Sequence, residues 1–249
     1  MPTLKHICRH PVKSLGEEAL DRIAVTAGAH LPWDRRWAIA HGRSEHDFEA
    51  EEYVRSRSYV IQTTTPALSQ TQISFDERSG ILGLSHPVLG ELNVNPVTES
   101  DRLTDWIAPI ADPAGPPPYR LAERRGAGMT DFPDTHISIG SLSSLRALEQ
   151  MAGCKLDLIR FRMNFWVDGF APWEELDWID DEITVGGVQL KVLDPVKRCT
   201  ATHANPATGT TDIAVTRLLY DRFQHMNFGI YATALTSGEV NVGDEVIAS

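Results

Sequence analysis

The chain has 249 residues, three cysteines and a formal net charge of -11. That length holds one large domain or two modest ones with a sizeable core, and the acidic balance excludes non-specific nucleic-acid binding while leaving local cations free to hold a single anion. Cys8, Cys154 and Cys199 are odd in number and show no CxxC spacing, which argues against a disulfide framework and for a reducing compartment. The opening MPTLKHICRHPVKSL has no apolar core of signal-peptide length, and no apolar run of about 18 residues follows, so a cytoplasmic protein with no membrane partner is expected.

In chain order, LKHICRHPVKSL reads as a first strand ending at Pro11, with Lys13 and Ser14 in the turn that follows. Two short strands are expected at Ile23 to Thr26 and Trp37 to Ala40, with Arg35 and Arg36 just before the second. Glu45 to Tyr59 is polar and has room for a helical turn. LSQTQISFD, GILGLSH and GELNVN follow as short strands bounded by turn residues, the spacing of an antiparallel meander or barrel, and a short helix is expected over Asp101 to Ile107. The Pro-rich ADPAGPPPY, residues 111 to 119, reads as a stiff connector, which divides the chain into lobes 1–120 and 121–249.

The second lobe opens with the clearest helix: Ser141 or Ser143 caps it, Leu142, Leu145 and Leu148 give an apolar stripe, and Gly153 ends it. LDLIRFRMNFWVDGF reads as a strand in which Arg160, Arg162 and Asn164 alternate and so share one face, suited either to phosphate or a polar heterocycle or to an exposed edge. Trp173 to Trp178 is an acidic, aromatic turn. A strand-like run from Thr184 to Leu193 then ends at Asp194-Pro195 and delivers Arg198 and Cys199 into a polar loop. A thiol beside fixed positive charge serves as a nucleophile, a soft metal ligand or a buried small hydrophobe. A short helix near Arg217 to Arg222 and two strands complete a fold that is mostly β with a few helices, in two β-barrel-like lobes. Acidic runs at Glu17-Glu18, Glu45 to Glu52 and Glu174 to Glu182 are expected on the solvated surface.

The run SLSSLRALEQ, RFRMNFWVDG, PWEELDW, ITVGGVQL, RC, NPATG and VGDEV resembles the MOSC domain, named for the C-terminal domain of molybdenum cofactor sulfurase. HPVKSL followed by DRRW resembles the β-barrel lobe that precedes it in the mitochondrial amidoxime-reducing proteins and their bacterial relatives. Between Trp37 and Leu68 the family pattern has no counterpart, and Met163 replaces its proline. The resemblance implies that Cys199 ligates the metal of a molybdenum cofactor (Mo-molybdopterin). It further implies that Lys13, Ser14, Arg35, Ser141, Arg162 and Asn164 contact the pterin and its phosphate, with Asp194 near an open metal position and His203 a nearby donor. Pyridoxal phosphate binding is attached to the family only at family level.

The activity implied is reduction of small N-hydroxylated compounds: amidoximes, hydroxylamines and N-hydroxylated bases. The chain contains neither a glycine motif for flavin or nicotinamide nor cysteines enough for an iron-sulfur cluster, so a separate ferredoxin-, flavodoxin- or cytochrome-type donor is expected. The alternatives are a non-catalytic carrier of the cofactor or sulfur-transfer partner and, without a metal, a plain reactive thiol at Cys199.

Overall fold

The computed structural model describes residues 1–45, 47, 55–124, 128–132 and 137–248. The architecture is mostly β, with three α-helices among the described residues: α1 at Ser100–Ala111, α2 at Leu142–Ala152 and α3 at Val215–Phe223. The main sheet has eight strands, in the order Val246–Ala248, Glu182–Val185, Val188–Lys197, Asn227–Ala234, Ile137–Ser141, Phe165–Asp168, Thr3–Arg9 and Glu18–Leu20. Its one parallel pair, Ile137–Ser141 with Phe165–Asp168, is joined by the crossover that contains α2.

The segment before Lys13 and the segment after Ser14 therefore both lie on the sheet that carries the C-terminal half. Arg22–Val25 likewise pairs with Gly238–Asn241. The remaining first-lobe strands form the expected meander, Gln72–Asp76, Ile81–His86 and Gly90–Val94, and a ladder of Trp37–Ala40 with Arg120–Glu123. These pack with α1 around Trp37, Phe75, Leu82, Leu103 and Ile107. α1 runs past the expected Ile107 to Ala111, because Leu103, Ile107 and Ala111 continue one buried stripe and Pro109 falls in the last turn. α2 is as read: Ser141 Oγ accepts the Ser144 N–H at 3.4 Å, and Gly153 closes the helix at φ 71°.

Three expectations need correction. The run Thr184 to Leu193 is a hairpin, Glu182–Val185 and Val188–Lys197, turned by Gly186 and Gly187 at positive φ. Its second strand does not end at Asp194-Pro195: two register shifts beside Asn227–Ala234 absorb the missing proline N–H, and pairing continues to Lys197. The segment carrying Arg160, Arg162 and Asn164 is not a strand. Leu158–Arg160 is a 3-10 turn, Arg162 is left-handed at φ 49°, and the strand begins only at Phe165.

The acidic run from Glu174 is likewise not all surface. Glu175 is fully buried, its Oε2 accepting the Ser144 hydroxyl at 2.6 Å, and that hydroxyl oxygen accepts the Trp173 N–H at 2.7 Å. Most of the Glu45 to Tyr59 region, including the bulk of its acidic run, lies outside the described residues. Its described end holds a 3-10 turn at Ser56–Ser58. No helix among the described residues is long and apolar enough to cross a membrane.

Burial pushes the Glu175 carboxyl up to about 7, with Glu174 and Asp177 acting in the same direction against the Ser144 hydrogen bond. A raised folded-state pKa means that the folded chain keeps a proton the unfolded chain has released between roughly pH 4.5 and 7, so this stabilisation is present below that window and lost above it. Glu175→Gln, which keeps a neutral acceptor for Ser144, should therefore gain about 3 kcal/mol relative to wild type between pH 4 and pH 8. Urea unfolding of both proteins at the two pH values checks this, and parallel curves would refute it.

Candidate functional site

A cleft of about 450 Å³ opens where the first-lobe loops meet the end of the Val188–Lys197 strand, and Lys13, Ser14, Arg35, Arg160, Arg162, Arg198 and Cys199 line it. The turn after Thr3–Arg9 is fixed from both sides: the Lys13 N–H donates to Trp37 O at 2.7 Å, the Trp37 N–H to Pro11 O at 3.1 Å and the Arg35 N–H to His10 O at 2.7 Å. Ser14, Arg35 and Arg162 all hold positive φ, at 65°, 49° and 49°. Three non-glycine residues in this region, all lining one cleft, concentrate backbone strain where side chains must be aimed.

The cations are distinguished by their partners. Lys13 Nζ donates to Met129 O at 2.9 Å and pairs with Asp131. Arg35 pairs with the buried Asp34 and donates from Nη2 to the Arg162 carbonyl at 2.7 Å. Arg160 makes a two-pronged pair with Asp212, at 2.8 and 2.7 Å. Arg162 has no such carboxylate pair among the described residues: Nη1 donates to Leu15 O at 2.9 Å and Gly16 O at 3.2 Å, while the buried Nη2 has no partner there. Arg198 is also held without a carboxylate, donating to Phe161 O at 2.8 Å, to Phe228 O at 2.9 and 2.7 Å and to Met163 Sδ, with its guanidinium 5.7 Å from the centres of both the Phe161 and Phe228 rings.

Burial, reinforced by Arg35, lowers the pKa of Arg162 to about 10, against the pull of Glu17. Burial also lowers Arg198 to about 10. Both remain charged at neutral pH. Lys13 is held below the usual lysine range by burial and by Arg35 and Arg162, with Asp131 opposing. Asp131 titrates at about 2, since Lys13 and the hydrogen bonds from Lys13 and Ser56 outweigh a desolvation that would raise it. Glu17, whose Oε2 is buried with no partner among the described residues, is pushed up to about 7 by burial. Two buried guanidinium groups without a paired carboxylate among the described residues, beside an exposed thiol, make a place for a ligand that is anionic at one end and open to sulfur at the other.

Residues 1–105 match the MOSC N-terminal beta barrel domain and residues 125–247 the MOSC domain. The chain belongs to the MOSC family. Among relatives of this MOSC protein, the molybdenum cofactor sulfurase of Drosophila willistoni is 35% identical over 103 residues, 40% of this chain and 12% of that one. Mitochondrial amidoxime reducing component 2 of Bos taurus is 30% identical over 128 residues, 46% of this chain and 38% of that one. These matches span well under half the length of either relative. The crystal structure of the YUAD protein from Bacillus subtilis is 12% identical, with a TM-score of 0.47 over 99% of this chain and 94% of that one.

In this MOSC protein, five of the residues expected at the site converge on the cleft: Lys13, Ser14, Arg35, Arg162 and Cys199. Ser141, Asn164 and Asp194 are not among the residues lining it. Ser141 is fully buried as the α2 cap. Asn164 joins two strands, accepting from Ser138 N at 3.1 Å and Ser138 Oγ at 2.8 Å and donating to Cys8 O at 3.2 Å. Asp194 is exposed within the irregular stretch of its strand, two residues before the cleft lining begins at Val196. His203 is committed to α3, its Nε2 accepting from Thr216 Oγ1 at 2.9 Å and Thr216 N at 3.3 Å. The structure adds Gln62, Asp131, Tyr231 and Thr202 to the lining. Of these, only Thr202 stood close to a recognised motif.

Proposed function

We propose that this protein is a molybdenum-cofactor-dependent oxidoreductase that reduces small N-hydroxylated compounds, with Cys199 as the protein ligand of the metal. The observation that carries the reading is the buried Arg162 Nη2, without a partner among the described residues, in the same cleft as the exposed Cys199. An orphaned guanidinium donor fits a phosphate oxygen, and a thiolate is a soft donor fit for molybdenum. Among the described residues no three His, Cys, Asp or Glu side chains converge, so a metal at Cys199 would draw further donors from a group such as the pterin. Arg162 and Arg198 supply the positive field that holds the anionic end of the cofactor, with Arg35, paired to Asp34, and Lys13, tied to Asp131, in the same lining.

When bound, the cofactor supplies the two-electron change: the N-hydroxylated compound takes up two electrons and two protons, its N–O bond breaks, and the reduced nitrogen compound and water leave. The electrons come from a separate redox protein of ferredoxin, flavodoxin or cytochrome type. Molybdenum and pterin content per chain, after expression in a host that makes the cofactor, tests the ligand. Wild type should hold both, and Cys199→Ser should keep pterin while losing at least about tenfold in molybdenum, the scale of losing one charged donor. Wild type empty of both would overturn the reading. A second reading, a carrier or sulfur-transfer partner without turnover, is supported by the exposed thiol and the sulfurase relative. It predicts a loaded protein that reduces no amidoxime with any of the three donor types.

A further inference from the structure

Arg160 looks like one more cofactor-binding arginine when it is read as a strand neighbour of Arg162, but its contacts lead elsewhere. It is 4% exposed, and both terminal nitrogens are committed to the segment that follows Cys199, while its buried Nε has no partner among the described residues. Nη1 and Nη2 donate to the two oxygens of Asp212 at 2.8 and 2.7 Å, and Nη1 also reaches Thr202 O at 3.4 Å and His203 O at 3.3 Å. Asp212 is held from the other side by Asn205 Nδ2 at 2.7 Å, and its N–H donates to His203 O at 3.1 Å. Thr202 in turn donates to the Cys199 carbonyl from Oγ1 at 2.9 Å and from N at 3.2 Å.

The chain from Cys199 to Asp212 is thus a closed loop, and the Arg160 guanidinium is its internal brace. Asp212 neutralises that guanidinium, so its charge is spent on the loop rather than on the cleft. The loop is also seated on the first lobe, where Ser69 Oγ donates to Asn205 O at 3.3 Å and Gln70 Nε2 to Ala207 O at 3.2 Å. Gly209 allows this approach: a Cβ there would lie 2.2 Å from Gln70 Oε1, and its φ is 67°.

We propose that Arg160, with Asp212 and Asn205, is a positioning unit for Cys199. The proposal rests on Cys199 being the metal ligand, but its first two tests need no metal. In cofactor-free protein, Arg160→Lys and the near-isosteric Asp212→Asn should each speed amide hydrogen exchange across residues 200–212 by about tenfold or more, because the two-pronged pair between the buried guanidinium and the exposed carboxylate is lost. Affinity for inorganic phosphate should stay within about twofold of wild type, since Arg162 and Arg198 are untouched.

In loaded protein, turnover per bound molybdenum should fall roughly tenfold with KM unchanged within twofold, the mark of a misplaced reacting centre rather than lost binding. Unchanged exchange in both variants, or a tenfold loss of phosphate affinity in Arg160→Lys, would overturn the positioning role. A wild-type protein without cofactor or activity would instead remove the functional reading, and the exchange and phosphate measurements would still decide what Arg160 holds.

Discussion

Arg162→Gln protein should bind inorganic phosphate roughly 10 to 100 times more weakly than wild type while unfolding at no lower a denaturant concentration. The first half follows from removing a charged, two-nitrogen donor whose Nη2 has no partner among the described residues; such hydrogen bonds are worth about 1.5 to 3 kcal/mol. The second follows from the cost of keeping that cation. Burial drives its pKa down to about 10, and Arg35 adds repulsion, so neutralising it relieves both. The carbonyls of Leu15 and Gly16 lose a donor, and the shorter glutamine amide recovers part of it. Isothermal titration of cofactor-free protein with phosphate, beside urea unfolding, separates the two effects. A variant that binds phosphate as wild type does would show that Arg162 serves the fold alone.

Gly229→Ala should destabilise the protein by about 2 to 5 kcal/mol, combining a left-handed alanine with overpacking. Gly229 lies in the central strand Asn227–Ala234 at φ 74°, and a Cβ there would sit 2.2 Å from Met163 Cε and 2.6 Å from Ile139 O. The methionine end can move and the carbonyl cannot. Met163 Sδ also receives a hydrogen bond from Arg198, so displacing it loosens the arginine that precedes Cys199. Adding Met163→Ala to Gly229→Ala should recover part of the loss, a coupling that a double-mutant cycle in urea measures. Strict additivity would mean that the penalty comes from the backbone alone.

The helix α2 and the meander from Gln72 to Val94 were legible in the sequence because each is locally determined, by a cap and a terminal glycine in one case and by alternation between turn residues in the other. Five of the expected site residues line one cleft, and it was the family resemblance that singled them out, since composition and periodicity alone left each with a structural alternative. The segment from Arg160 to Asn164 misled because polar residues at alternate positions fit a strand face and a tight turn equally well. The deciding fact, a left-handed Arg162 tied to Leu15 and Gly16, lies about 150 residues away in the chain. Glu175 misled for a related reason: surrounded by acidic neighbours it reads as surface, and only the packing of Ser144 and Trp173 around it explains its burial. Met163 stands where the family resemblance led proline to be expected. Its role, against Arg198 and the bare Cα of Gly229, could be seen only once the three were together.

The first strand, Thr3–Arg9, finds its neighbour in Phe165–Asp168, about 160 residues later in the chain. The turn bearing Lys13 and Ser14 therefore follows a strand that Glu18–Leu20 pairs on one side early and that Phe165–Asp168 pairs on the other only much later in synthesis. Until that partner strand exists, Thr3–Arg9 has an open edge on the side that Phe165–Asp168 covers. Assembly of the cleft, which also needs Arg162 and Cys199, is consequently a later event in biosynthesis than folding of the meander and α1, coincident with closure of the main sheet. Whatever delivers a ligand to this cleft meets a chain already made past Cys199.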